Sequence, residues 1–218
     1  MTKSQLVKKI SEHVRAKFSH EATGHDWYHI QRVWKMAKYI AKKEKNADMF
    51  IVELAALCHE LGDYKLEADG IGRHEQQISQ VLSAADIPPE IQRKVIDIVK
   101  NISFSKNVSG EHALSLEGQV VQDADRLEAI GAIGIARAFA YGGAKGRVLY
   151  DPEQKPKKFK TTHSYQKSAT ATINHFYEKL LLLKSRMRTT TGKQIAIKRH
   201  AYMENYLKQF FAEWDGKL

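Results

Sequence analysis

The chain has 218 residues, enough to bury a core of its own, and its Lys and Arg outnumber its Asp and Glu by 35 to 25, a net charge of +10. Four prolines, no low-complexity tract, no repeat, no apolar run near the ~20 residues of a membrane span and no signal-peptide-like apolar start exclude fibrous, repeat and membrane-spanning classes. A lone cysteine, Cys58, cannot form an internal disulfide, so the expectation is a soluble, cytoplasmic protein whose positive field attracts polyanions, nucleotides and nucleic acid alike.

Helical periodicity dominates. Leu6, Ile10, Val14 and Phe18 recur every four residues behind Thr2, an N-cap residue, and predict a first amphipathic helix ended by the turn His20 to Gly24. Ile30, Val33, Ala37 and Ile40 mark a second. Asp48 caps a third, which runs into Glu53-Leu54-Ala55-Ala56-Leu57-Cys58-His59-Glu60-Leu61-Gly62-Asp63. That apolar segment delivers a histidine and two carboxylates at its end. Buried, such groups need a cation or other partners; in water, they would simply end a helix at Gly62.

Gly70 and Gly72 precede a helical segment with Ile78, Val81 and Leu82. Pro88-Pro89 open the next, with Ile91, Val95, Ile98 and Ile102 at helical spacing. Residues 103 to 115 read as a loop. Val120, Val121, Ala124, Leu127, Ile130, Ile133 and Ile135 then form an apolar run interrupted by Asp123, Asp125, Arg126 and Glu128, and at least one of the two aspartates should meet a cation. A basic, weakly patterned loop at about 142–163 follows, suited to a solvated face or to an anion-binding surface. Two closing helices carry the stripes Ala169, Ile173, Phe176, Leu180, Leu183, Met187 and Ala196, Met203, Leu207, Phe210, Trp214, both read as core. Three separate apolar segments thus bear ligand-type residues: His29, His59 with Glu60, and Asp125. Facing helices of a bundle can bring such side chains to one point.

His25-Asp26-Trp27-Tyr28-His29-Ile30-Gln31-Arg32-Val33, "AALCHELGD" at 55–63 and "VVQDADRLEAIGAIGIARAFAYGG" at 120–143 resemble, in this order, the HD-domain metal-dependent phosphohydrolases. The last stretch and "HFYEKLLLLKSRM" are similar to the bacterial branch that releases pyrophosphate from nucleoside triphosphates. The resemblance covers nearly the whole chain and implies an all-α, single HD-type domain over 1–218 with a divalent ion, Mn or Mg, in its core.

Carried over by position, the resemblance puts the first ligand on His29, four residues before Val33, and leaves His25-Asp26 as a decoy dipeptide or an outer group. The paired ligands fall on His59 and Glu60, and the last on Asp125, before Arg126 in the family's "ADR" pattern. Asp123 is the competitor, but lies about 200° from Asp125 around a helix. One departure stands out: the family's second pair is His-Asp, whereas here it is His59-Glu60, one methylene longer. Asp63 matches the place of an acidic catalytic residue in related branches, and Arg32 shares the helical face of His29. Arg126, Lys65, Lys184 and Arg188 are phosphate-binding candidates, and His74 is a candidate for a second ion. The expected substrate is a nucleotide, with no membrane and no specific nucleic acid as partner; a homodimer is left open. A catalytically weak nucleotide-sensing domain, suggested by Glu60, and a basic nucleic-acid-binding protein, suggested by charge alone, are the other readings.

Overall fold

In the computed structural model, which describes residues 1–19, 24–63, 73–102, 112–159, 161, 163–164 and 170–217, every regular element among the described residues is helical. The chain runs through α1 (Lys3–Lys17), α2 (Trp27–Lys43), α3 (Met49–Cys58), α4 (His74–Ser83), α5 (Pro89–Ile102), α6 (Leu116–Glu128), α7 (Gly131–Ala144), α8 (Thr172–Glu178) and α9 (Thr190–Trp214). The starts follow local chemistry. Thr2 and Gln5 form a reciprocal capping box on α1, Asp48 accepts the Phe50 and Ile51 amides at α3, and Ser115 accepts the Gly118 amide at α6.

Helix α3 is apolar on every side, and such a helix has to be central. Phe50, Ile51, Val52, Leu54, Ala55, Ala56, Leu57 and Cys58 are all buried, and α1, α2, α5 and α6 pack around them. Burial pushes the Cys58 thiol up to about 12, so it serves as a small core residue. Glu53, the only charge on this helix, sits at its edge and accepts from Trp34 Nε1 (3.1 Å) and Lys38 Nζ (3.0 Å). Helix α2 packs against both α3 and α6, so the three helices that carry ligand-type residues are mutual neighbours.

The chain leaves α3 through a tight turn: Leu61 N–H donates to Cys58 O (3.0 Å), and Gly62 takes φ +70°. Arg73 N–H returns to Gly62 O at 2.8 Å, and the His74 Nδ1–H donates to Leu61 O at 2.7 Å. A β-carbon on Gly62 would stand 2.6 Å from the His74 nitrogen, inside the backbone that closes the turn. Gly62→Ala combines a left-handed φ with a backbone clash, and should cost about 3 kcal/mol and roughly 6–12 °C in melting temperature. A thermal melt of the variant within 2 °C of the parent would contradict this placement of the turn.

The structure departs from periodicity at both ends of the basic loop. Helix α7 continues through Gly142 and Gly143 to Ala144, where the pattern places the start of the loop. The stripe read as one helix from Ala169 to Met187 is instead α8 followed by two 3-10 turns, Leu180–Leu182 and Lys184–Arg186, and Ala169 lies outside the described residues. Ile173, Phe176, Leu180, Leu183 and Met187 are nevertheless buried. Short 3-10 turns and an α-helix keep similar faces inward over a few residues, so periodicity does not separate them. Ile133 and Trp214 are 44% and 48% exposed, so the apolar runs outlast the core at those two positions. Gly70 and Gly72, the turn residues 20–23, and most of the loop 103–115 lie outside the described residues. No described helix is long and apolar enough to cross a membrane.

Candidate metal centre

Asp26 caps α2, its carboxylate accepting the His29 amide at 2.8 Å, and this sets His29 in the first turn with its ring buried toward α3 and α6. His59 ends α3 at φ −65°, ψ −24°, and its Nδ1–H donates to the Ala56 carbonyl at 2.7 Å. That bond fixes the tautomer and turns the Nε2 lone pair inward. His59 Nε2 lies 3.2 Å from His29 Nε2. Two ring nitrogens that close repel one another unless a proton or a cation lies between them.

Two carboxylates complete the cluster. Glu60 Oε1 is 3.1 Å from His29 Nε2 and 3.5 Å from His59 Nε2; Asp125 Oδ1, reaching in from α6, is 3.6 and 3.9 Å from the same atoms. Donor atoms about 2.1 Å from one ion stand roughly 3 to 3.5 Å from each other. Each carboxylate thus lies near enough to the imidazole nitrogens for a divalent cation to be held between them. The longer arm of Glu60 is taken up locally, with Oε1 also 2.7 Å from His25 Nδ1. Two overlapping groups among the described residues can hold a metal ion: His25, His29, Glu60 and His29, His59, Asp125.

Electrostatics agree with a charged centre. Burial opposes ionisation of Glu60, but His25, His29 and His59 outweigh it and hold the carboxyl well below the usual carboxylate range. Burial likewise raises Asp125 while His59 and His29 pull it lower on balance; its side chain is 34% exposed, the open side of the cluster. His59 itself is lowered, chiefly by burial. Groups whose folded values are depressed lose their stabilising contribution as protons arrive. The metal-free protein should therefore lose stability in two steps as pH falls, first below about 6.5, where an unfolded histidine binds its proton, and again below about 4, through the depressed carboxylates. Melting temperatures across pH 8 to 3 in excess chelator test this, and stability that rises from pH 7 to pH 4 would contradict it.

A second layer surrounds His29. Glu128, buried, accepts from Arg32 Nε at 2.6 Å and lies 3.9 Å from both His29 Nδ1 and Arg199 Nη1. Burial would raise the Glu128 pKa, yet His29 and Arg32 hold it below the ordinary range. Arg137 Nε donates to Gly24 O at 2.8 Å, beside His25. Glu128, Arg137 and Arg199 are site-proximal residues that the motif comparison left aside, and of its two readings of His25, decoy or outer group, the 2.7 Å contact with Glu60 favours the second. Two carried a weak signal: His25 precedes His29 by four residues, and Glu128 follows Asp125 by three.

The other candidate residues fall elsewhere. Asp123 is buried and faces the start of α9, accepting Thr189 N (2.7 Å), Thr189 Oγ1 (2.8 Å) and Arg188 N (3.0 Å). Its cation equivalent is a helix N-terminus. The Arg126 guanidinium is buried and donates to the Arg186 carbonyl, while Arg188 bonds Gln122 Oε1 (2.9 Å) and His112 O (3.0 Å). Lys184 is exposed on the second 3-10 turn, and Lys65 lies outside the described residues. Asp63 is buried just past Glu60, its amide donating to Glu60 O at 3.2 Å.

An all-helical bundle that brings two histidines and two carboxylates together from three packed helices, in overlapping groups able to hold a metal ion, defines a class of helical metal-binding proteins. The comparisons agree. The HD domain family model matches residues 26–130. YpgQ of Bacillus subtilis is 41% identical over 217 residues, covering 99% of this chain and 97% of that protein. A crystal structure of YpgQ in complex with ADP superposes with a TM-score of 0.77 at 40% identity, covering 98% of this chain and 97% of that one. An HD-superfamily hydrolase from Bacillus thuringiensis superposes with a TM-score of 0.74 at 40% identity, covering 99% of this chain and all of the other. The chain belongs to the HD-domain family.

Proposed function

We propose that the protein is a metal-dependent phosphohydrolase of nucleotides that cleaves (deoxy)nucleoside triphosphates to monophosphate and pyrophosphate. The observation that carries this reading is the approach of His29 Nε2 and His59 Nε2 to 3.2 Å with Glu60 and Asp125 closing around them, a donor set suited to Mn or Mg. The ADP complex of YpgQ supports a nucleotide as the ligand. A divalent ion held by His29, His59, Glu60 and Asp125 would supply Lewis acidity to a phosphoryl oxygen and acidify water.

The chain's own residues do the remainder. The Ala56 carbonyl orients the His59 imidazole, which keeps its Nε2 lone pair inward, while the Glu128 carboxylate stands 3.9 Å from His29 Nδ1. Arg32 is tied to Glu128 through Nε, and its terminal amino groups are the donors offered to a phosphate oxygen as charge develops there. Asp63 is the proposed proton acceptor for the attacking water, placed by the Gly62 turn two residues beyond Leu61. Turnover of ribo- and deoxyribonucleoside triphosphates with Mn, read by phosphorus NMR, tests the reading. Pyrophosphate release supports it. Orthophosphate from monophosphates, with triphosphates untouched, would replace it by a different phosphohydrolase activity, and tight nucleotide binding with no turnover would favour the nucleotide-sensing reading that Glu60 suggests.

A further inference from the structure

Helix α7 reaches His25 through the Tyr141 ring. Arg137, Tyr141 and Lys145 are spaced by four, which puts them on one helical face. Arg137 grips the carbonyl of Gly24, the residue before His25. The Tyr141 ring stands edge-on to the His25 ring, with centroids 6.4 Å apart, and His25 in turn touches Glu60. Lys145 Nζ and Arg147 Cζ lie 5.8 and 5.6 Å from the centroid of the Tyr141 ring. Two cations therefore approach one aromatic ring, which itself stands next to His25.

The turn that places them is held by backbone hydrogen bonds. Lys145 N–H closes α7 on Tyr141 O (3.0 Å), Gly146 takes φ +65°, and Arg147 N–H returns to Gly142 O at 2.8 Å. Gly142 packs flush against Thr172, where a β-carbon would collide with the threonine hydroxyl. The outgoing chain is pinned to the start of α8, with Thr172 N–H on Val148 O (3.0 Å) and Ile173 N–H on Leu149 O (2.9 Å). No acidic residue pairs with Lys145 among the described residues.

We infer that this turn is a polyphosphate subsite, in which Lys145 and Arg147 hold the phosphates beyond the one bound at the metal centre and Tyr141 sets their spacing from His25. The inference rests on reading the centre as a phosphohydrolase site and deepens it by naming what selects a triphosphate over a monophosphate. Arginine offers a planar fork to two phosphate oxygens and lysine a point charge, a pairing suited to a linear chain of phosphates. The bound class is a linear polyphosphate, nucleoside-linked or free.

The test is calorimetric binding of inorganic tripolyphosphate and of ADP, each in excess Mn, to the parent and to Lys145→Ala, Arg147→Ala and Arg147→Lys. The parent should bind both. Arg147→Ala should bind each at least about tenfold more weakly and Lys145→Ala several-fold more weakly, with Arg147→Lys between. Bound metal, measured by elemental analysis, should match the parent in every variant. The inference is overturned if the parent does not bind tripolyphosphate, or if folded Lys145→Ala and Arg147→Lys both bind it as the parent does. Its failure is separable from that of the proposed activity. A parent that binds tripolyphosphate through these residues but releases no product keeps the subsite and loses the enzyme, while a parent that releases pyrophosphate with unaltered variants does the reverse.

Discussion

Glu60→Gln should lose its divalent ion and at least about a hundredfold in turnover, while Glu60→Asp should keep the ion. Glu60 Oε1 is the atom nearest to several partners at once, 2.7 Å from His25 Nδ1, 3.1 Å from His29 Nε2 and 3.5 Å from His59 Nε2. Glutamine keeps the shape but removes the charge that a hard cation requires, and it brings an amide into a cluster already crowded with nitrogen. Aspartate restores the His-Asp pair of the family with an arm one methylene shorter. If the surrounding core is set to glutamate, misplacement by about an ångström can itself cost a hundredfold in rate, so metal content is the primary reading for this variant. Elemental analysis after Mn loading, with turnover alongside, separates the cases. A Glu60→Gln variant that binds Mn and turns over as the parent does would remove Glu60 from the ligand set, and the His29, His59, Asp125 group would then have to hold the ion without it.

Asp123→Ala and Asp125→Ala should fail in opposite ways, although the two residues are separated by a single alanine. Asp123 is fully buried and takes two backbone N–H groups and a hydroxyl from Arg188 and Thr189, the residues that lead into α9. Its removal leaves those donors unsatisfied in the interior, a loss of about 3 kcal/mol and roughly 6–12 °C in melting temperature. Gly192, which allows the close approach of α9 to Asp123, cannot relax into the gap without moving the helix. Asp125 sits among His29 and His59 with a third of its side chain open. Asp125→Ala should lose metal and activity while the melting temperature of the metal-free protein stays within a few degrees of the parent, because no backbone donor depends on it among the described residues. The parent alone should gain thermal stability on Mn addition, since an ion bound only to the folded state stabilises it. Equal metal loss in both variants, with equal stability, would mean that the two carboxylates serve one site.

What the sequence determined was local. The four-residue spacing of Leu6 to Phe18, the caps Thr2 and Asp48, and the Pro88-Pro89 start of α5 follow from backbone hydrogen bonding and side-chain direction, which act within a turn or two. Ordered motif spacing singled out His29, His59, Glu60 and Asp125, since an apolar helix leaves few places for such residues. The charge anomaly in the run 120–135 was visible too, but its two halves were not separable by composition. Only the packing of α6 against α2 on one side and against α9 on the other turned Asp125 toward two imidazoles and Asp123 toward a helix N-terminus.

The same holds for the cations. Arg126 and Arg188 stand in the motif-rich part of the chain, yet the tertiary structure turns them to carbonyls and to Gln122. Lys145 and Arg147, in an unpatterned segment, are brought beside Tyr141, whose ring adjoins that of His25, where Gly142 of α7 packs on Thr172 of α8. A sequence records which faces are apolar and which residues are chemically able. Which of those residues share a point depends on how helices cross, and that is decided by contacts between segments far apart along the chain, to which periodicity is blind.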